Sequence, residues 1–147
     1  MRVSGGQTLA KYDFLDGERI RKAHSVRRID PIFQRLATRL AQIPELRYIK
    51  IFPERIAASN VLSQEGKKNP VVEVGAEGLI GVELLIDRST KVVQFYALTS
   101  AVTGCGRKMV EAVIDATPED WQLAVVMDWS GGFWRKMALE HPRLVVF

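Results

Sequence analysis

Lys91-Val92-Val93-Gln94-Phe95-Tyr96-Ala97-Leu98-Thr99-Ser100-Ala101-Val102-Thr103-Gly104-Cys105-Gly106-Arg107-Lys108-Met109-Val110 contains the change of period that decides the fold. As far as Thr99 the run is β-branched and aromatic, the composition of a strand. From about Arg107 to Ala116 the apolar residues Met109, Val110, Val113 and Ile114 recur at helical spacing instead, and Thr117-Pro118 ends the helix. Gln122 to Asp128 then reads as a nearly continuous apolar strand. A strand, a helix and a strand of these lengths can lay the two strands parallel with the helix crossing over.

Upstream, Val71 to Gly75 and Leu79 to Ile86 read as two more strands. Ala76-Glu77-Gly78 and Asp87-Arg88-Ser89-Thr90 separate them from each other and from Lys91, and connections this short force antiparallel neighbours. Asp30-Pro31 opens an amphipathic helix carrying Ile32, Phe33, Leu36, Ala37, Leu40 and Ala41, which Pro44 stops. Tyr48 to Phe52 is a short strand, while Pro53 to Glu65 fits a helix or a loop. A helix from Ser130 to about Glu140 and a strand from Arg143 to Phe147 complete the order. The expected class is α/β (α+β): a mixed, mostly antiparallel central sheet with helices on both faces.

A chain of 147 residues fits one domain. Its formal charge of +4 lies wholly in residues 1–28, where seven basic side chains face three acidic ones, so a flexible basic arm (1–28) is expected ahead of a domain (29–147). Such an arm is either a solvated tail or a contact for nucleic acid or an acidic protein. No apolar run is long enough to cross a bilayer, and no secretory leader opens the chain. Cys105, the single cysteine, excludes an internal disulfide, and His24 and His141 are too few for a dedicated zinc site. A cytoplasmic protein with no membrane partner and no metal is expected.

The turn Gly104-Cys105-Gly106 joins a strand directly to a helix start. Free N–H groups and the positive end of the helix dipole converge at such a point and favour an anion. Arg107 and Lys108 in the first turn and Asp115 near the end reverse the dipole's preference, a penalty that a bound polyanion would cancel. Alternatively, both cations are solvated and Arg107 pairs with Glu111 four residues on.

A β-meander whose last strand runs into Gly104-Cys105-Gly106-Arg107-Lys108 and a helix, followed by an apolar strand and a helix bearing Phe133-Trp134, resembles the GCN5-related N-acetyltransferases. The resemblance spans roughly residues 30–147, with its specific part between about 91 and 137. It implies an acyl-CoA N-acyltransferase-like fold, shortened at the C-terminus by one strand, and acetyl-CoA as co-substrate. By position, Leu98, Thr99 and Ser100 would meet the pantetheine arm, and Gly104, Cys105, Gly106, Arg107 and Lys108 the phosphates. Ala101 stands where the family's loop commonly begins with Arg or Gln. Trp134 replaces the family's general-acid tyrosine, offering only an indole N–H as hydrogen-bond donor. Ser130 or Asp128 is the nearest polar substitute for an asparagine common at the start of that helix.

Acyl transfer to an amine needs a proton acceptor, and Glu73, Glu77 and Glu83 lie in or beside the meander. Glu83 is preferred because it interrupts the apolar strand Leu79 to Ile86; its alternative is simply to face solvent. Trp134 can equally be core packing. Cys105 at a helix N-terminus could be a reactive thiol, or one that fills the loop interior. The expected activity is acetyl transfer to a small-molecule or protein amine by direct attack. The rival is a non-catalytic module of the same scaffold that binds CoA, protein or nucleic acid, or that dimerises through an open sheet edge.

Overall fold

The computed structural model describes residues 15, 19–64, 66, 68–125 and 132–147. Seven strands lie in one sheet in chain order: β1 (Ile20–Lys22), β2 (Tyr48–Phe52), β3 (Arg55–Ser59), β4 (Ile80–Asp87), β5 (Val92–Ser100), β6 (Gln122–Val125) and β7 (Leu144–Val146). The helices are α1 (Pro31–Leu40), α2 (Cys105–Ala116) and α3 (Phe133–Glu140). β2 through β5 pair antiparallel in long ladders, and the shorter β1–β2, β5–β6 and β6–β7 ladders are parallel. The sheet is thus mixed and mostly antiparallel, with α2 crossing between parallel β5 and β6 as its length requires. No described helix is long and apolar enough to cross a membrane.

Registry divides the sheet into two unlike faces. Ile49, Ile51, Ile56, Ala58, Val82, Leu84, Ile86, Val93 and Phe95 fall in register on one face, and all belong to a single buried cluster. That cluster also takes in Leu36 and Leu40 of α1, Met109 and Val113 of α2, and Trp134 and Met137 of α3. The described helices therefore share one face, which corrects the expectation of helices on both. Alternate residues Lys50, Phe52, Arg55, Ala57, Ser59, Gly81 and Glu83 point the other way. Part of that second face is covered by the excursion between β3 and β4, where Lys50 Nζ donates to Asn69 Oδ1 at 2.8 Å and the Gly75 N–H to Thr99 Oγ1 at 3.2 Å.

This excursion replaces the strand expected at Val71–Gly75. β4 already has β3 on one edge and β5 on the other, so no ladder is open to a further strand. The segment keeps only the Leu62↔Pro70 bridge, and Val74 stays exposed. Within Pro53 to Glu65, expected as a helix or a loop, Arg55–Ser59 is strand β3, joined to β2 by the two-residue turn Pro53-Glu54.

The boundary between a 1–28 arm and a 29–147 domain also needs correction. Ile20–Lys22 is the edge strand β1, Ile20 and Val26 are buried, and the Arg19 guanidinium donates to Ile43 O at 2.7 Å and Leu46 O at 3.1 Å. Part of the basic segment is therefore built into the sheet; residues 1–14 and 16–18 lie outside the described residues. Pro31 opens α1 as expected, while the Asp30 carboxylate leaves the helix end unbonded and pairs with Arg88.

Candidate functional site

The described ladder between β5 and β6 covers the first half of β5. Their ladder runs from Val92↔Gln122 to Phe95↔Val125, and Tyr96 is then the extra residue of a β-bulge, since Leu84 faces Phe95 while Glu83 faces Ala97. A bulge bends its strand and sharpens the local twist. Leu98, Thr99 and Ser100 remain paired to β4, and among the described residues their outer edge has no ladder partner.

That edge leads into the turn before α2. Gly104 sits at φ 93°, a left-handed conformation costly for residues with a Cβ, and is the residue before the helix. The Cys105 N–H is engaged by Val102 O at 3.2 Å and the Lys108 N–H by Gly104 O at 3.2 Å. Among the described residues the N–H groups of Gly106 and Arg107 donate to no backbone carbonyl. A Cβ at Gly106 would stand at ordinary contact distance from Phe133 Cζ (3.4 Å) and Leu98 Cδ2 (3.9 Å), so these two side chains flank the turn. The strand edge, the turn and the start of α3 thus meet at one notch, with two donors aimed along the axis of α2.

The side chains assigned to this notch divide. Leu98 packs partly against the core. Thr99 Oγ1 accepts from the Gly75 N–H of the excursion between β3 and β4, and Ser100 Oγ donates to Val102 O at 2.5 Å, so both hydroxyls are engaged within the protein. Lys108 is exposed at the notch. Arg107 instead reaches Glu140 at the end of α3, with one contact of 3.0 Å, and Glu111 at 3.6 Å. Two of the reversed charges of α2, those of Arg107 and Asp115, are therefore compensated inside the protein. Arg107 has these two carboxylates, Asp115 has Arg39 at 2.8 Å, and the last carbonyls of α2 accept from Arg35 and Arg143. Compensation of this kind weakens the charge pattern as a reason to expect an anion, leaving the backbone geometry and the exposed Lys108.

Glu111, Glu140 and His141 gather with ligand atoms within 4.8 Å of one another, and the Arg107 guanidinium supplies the positive charge there. The hydrogen bond from Arg107, foremost, holds the Glu140 carboxyl below the ordinary carboxylate range. A depressed folded-state pKa makes the pair's contribution present above the unfolded value and lost as pH falls through the lower folded one. We expect the Glu140 side-chain carbon, followed by NMR, to titrate below an ordinary glutamate, and to rise toward the ordinary value in Arg107→Gln. An unchanged titration in that variant would mean the pair does not form in solution.

The remaining assignments fall elsewhere. Trp134 is 6% exposed and packs in the core, its ring 4.9 Å from Phe95 and 5.2 Å from Phe133. Glu83 lies on the face away from the helices, neither in the core nor free in solvent, and pairs with Arg55 at 2.8 Å. Burial, and next the charge of Glu45, push the Cys105 thiol up, the opposite of an activated nucleophile. Glu73 and Glu77 are exposed. Ser130, with Asp128, Trp129 and Gly131, lies outside the described residues.

Alternation across two strands hides a second feature that the sequence reading did not extract. Lys50, Phe52 and Arg55 line one basin of about 840 Å³ with Arg21, Lys22 and His24. The Arg55 guanidinium lies 3.9 Å from the centre of the Phe52 ring. Period-two reading of Tyr48 to Phe52 places Lys50 and Phe52 together; the partner strand was the missing half.

In comparison with known proteins, the chain matches no family model, no curated protein and no solved structure.

Proposed function

We propose that this protein binds an acyl-coenzyme A along the outer edge of β5, with the diphosphate at the start of α2, and passes the acyl group to an amine. One observation carries the reading. Beyond its described ladder with β6, β5 leads through a short turn to a left-handed glycine, after which the N–H groups of Gly106 and Arg107 have no backbone acceptor among the described residues. An extended amide-bearing ligand can complete the strand edge, and a diphosphate can accept from the helix start. The buried, unactivated thiol of Cys105 favours direct transfer: the amine nitrogen bonds to the thioester carbon, the C–S bond breaks, and the amine's proton ends on the thiolate through water. A cytoplasmic location goes with this reading.

A second reading, a CoA-binding module without turnover, draws support from the core position of Trp134 and from Glu83 lying on the opposite face in an ion pair. Thermal denaturation with acetyl-CoA and with CoA tests the binding. At ligand one hundred times above Kd, about 2.7 kcal/mol of added stability is expected. Gly106→Val, which crowds Phe133 and Leu98, should abolish the shift. No shift with either ligand at millimolar concentration overturns both readings, while a shift without thiol release above background across an amine panel leaves only the second.

A further inference from the structure

Residues 25–29, between β1 and α1, close with Phe33, the end of β2 and the β4–β5 turn around a cavity of about 220 Å³. Its floor is apolar: Val26, Phe33 and Ile51 are buried, and Ile29 and Phe52 are half-buried. Its rim is cationic, with Arg27, Arg28 and Arg88 exposed there and no carboxylate lining the cavity among the described residues.

The three guanidiniums differ in what they already hold. Arg88 is paired with the Asp30 carboxylate. Arg27 and Arg28 make no side-chain hydrogen bond or ion pair with any described residue. Their backbone N–H groups, like that of Ile29, donate to no backbone carbonyl among the described residues. A guanidinium keeps its proton throughout the physiological range, so both charges are present and uncompensated. In open water such charges attract an anion weakly; beside an apolar floor that a ligand can cover, the same attraction acts in a drier setting and is stronger.

We propose that this cavity binds a small organic acid, its carboxylate held at the rim by Arg27 and Arg28 and its compact apolar body, one ring or a short branched chain, lying on the floor. A planar guanidinium matches a carboxylate with two parallel hydrogen bonds. The body gains from leaving water. A phosphate fits less well: it carries charge and acceptors on every side, and the apolar side chains of the floor offer no donor to those that face them. The volume lies below that of sites for drug-sized molecules, which limits the body to about one ring. This site shares no residue with the notch before α2 and does not depend on CoA binding there. The positive excess of the N-terminal segment is thereby partly explained, because Arg27 and Arg28 come from it.

Amide correlation NMR of the full chain during titration with sodium benzoate tests the proposal, with acetate, benzamide and inorganic phosphate in parallel. Benzoate should give saturable shifts at the amides of Arg27, Arg28 and Ile29, with Kd of about 1 mM or tighter. Acetate lacks the apolar body, benzamide lacks the charge, and phosphate lacks the apolar end; each should bind at least about tenfold more weakly. The double variant Arg27→Gln with Arg28→Gln should weaken benzoate at least about tenfold, as loss of charge-assisted hydrogen bonds does. Both side chains are exposed and unpaired, so the spectrum of that variant should otherwise match the wild type. The proposal is overturned by no saturable shift at tens of millimolar benzoate, by shifts confined to amides outside residues 25–33, by acetate, benzamide or phosphate binding as tightly as benzoate, or by affinity indifferent to the double variant.

Discussion

Trp134→Ala is expected to lower folding stability by about 3–5 kcal/mol, the usual range for deleting a buried aromatic side chain. Urea denaturation followed by circular dichroism would read this as a large fall in midpoint at nearly constant slope. The indole ties α3 to β5: its ring is tilted against Phe95 of β5, meets its helix neighbour Phe133 edge-on, and belongs to the buried cluster that includes Met137. Trp134→Phe keeps most of the apolar contact and should cost less than half as much. A loss below about 1 kcal/mol in Trp134→Ala would refute the packing role, since cavities of this size rarely collapse so completely. The comparison also bears on chemistry. If Trp134→Phe folds and retains any acyl transfer that the wild type shows, the indole N–H has no part in that chemistry.

Arg143→Met should be the next most damaging change, at about 2–3 kcal/mol, because hydrogen bonds to charged groups are worth more than neutral ones. Its guanidinium collects four carbonyls where α2 ends: Ile114 and Thr117 through one nitrogen at 3.2 and 3.0 Å, Pro118 and Trp121 through the other at 2.7 and 3.2 Å. The last carbonyls of a helix have no partner within it, and a cation there also faces the negative end of the dipole. A planar fork can reach all four; the ammonium of Arg143→Lys cannot, and should recover less than half of the loss. Equal stability of the Lys variant and wild type would show that charge alone matters. The contact with exposed Glu119, at 3.9 Å, adds little.

How much of this was legible in the sequence depended on whether the signal was local. The β5–α2–β6 unit could be read because its period changes from two to 3.6 at the glycines and Pro118 marks the helix end. β3 was obscured because Pro53-Glu54 lacks the Asn-Gly or Asp-Gly signature of a tight hairpin, and Arg55-Ile56-Ala57-Ala58-Ser59 contains a single strongly strand-favouring residue. β1 has only three residues, too few to show alternation, and acquires its identity from pairing with β2. At the candidate site, the glycine turn was visible, but not the destination of its charges. Arg107 meets Glu140, 33 residues away, and Arg55 meets Glu83, 28 away. Such pairings are products of topology. The placement of Val71–Gly75 failed for a related reason: its residues suit a strand, but both edges of β4 were already taken.

Strand order in space repeats strand order along the chain. Each strand is laid beside the one just synthesised, and none has to be threaded between two already in position. A nascent polypeptide emerging from a ribosome can therefore extend the sheet at a single advancing border, from the N-terminal side toward β7, with neighbour-to-neighbour closure keeping the entropic cost of each addition low. Each addition moves the unpaired border outward by one strand, so that in the finished sheet the outer side of β7 inherits the backbone groups that every earlier strand exposed in its turn.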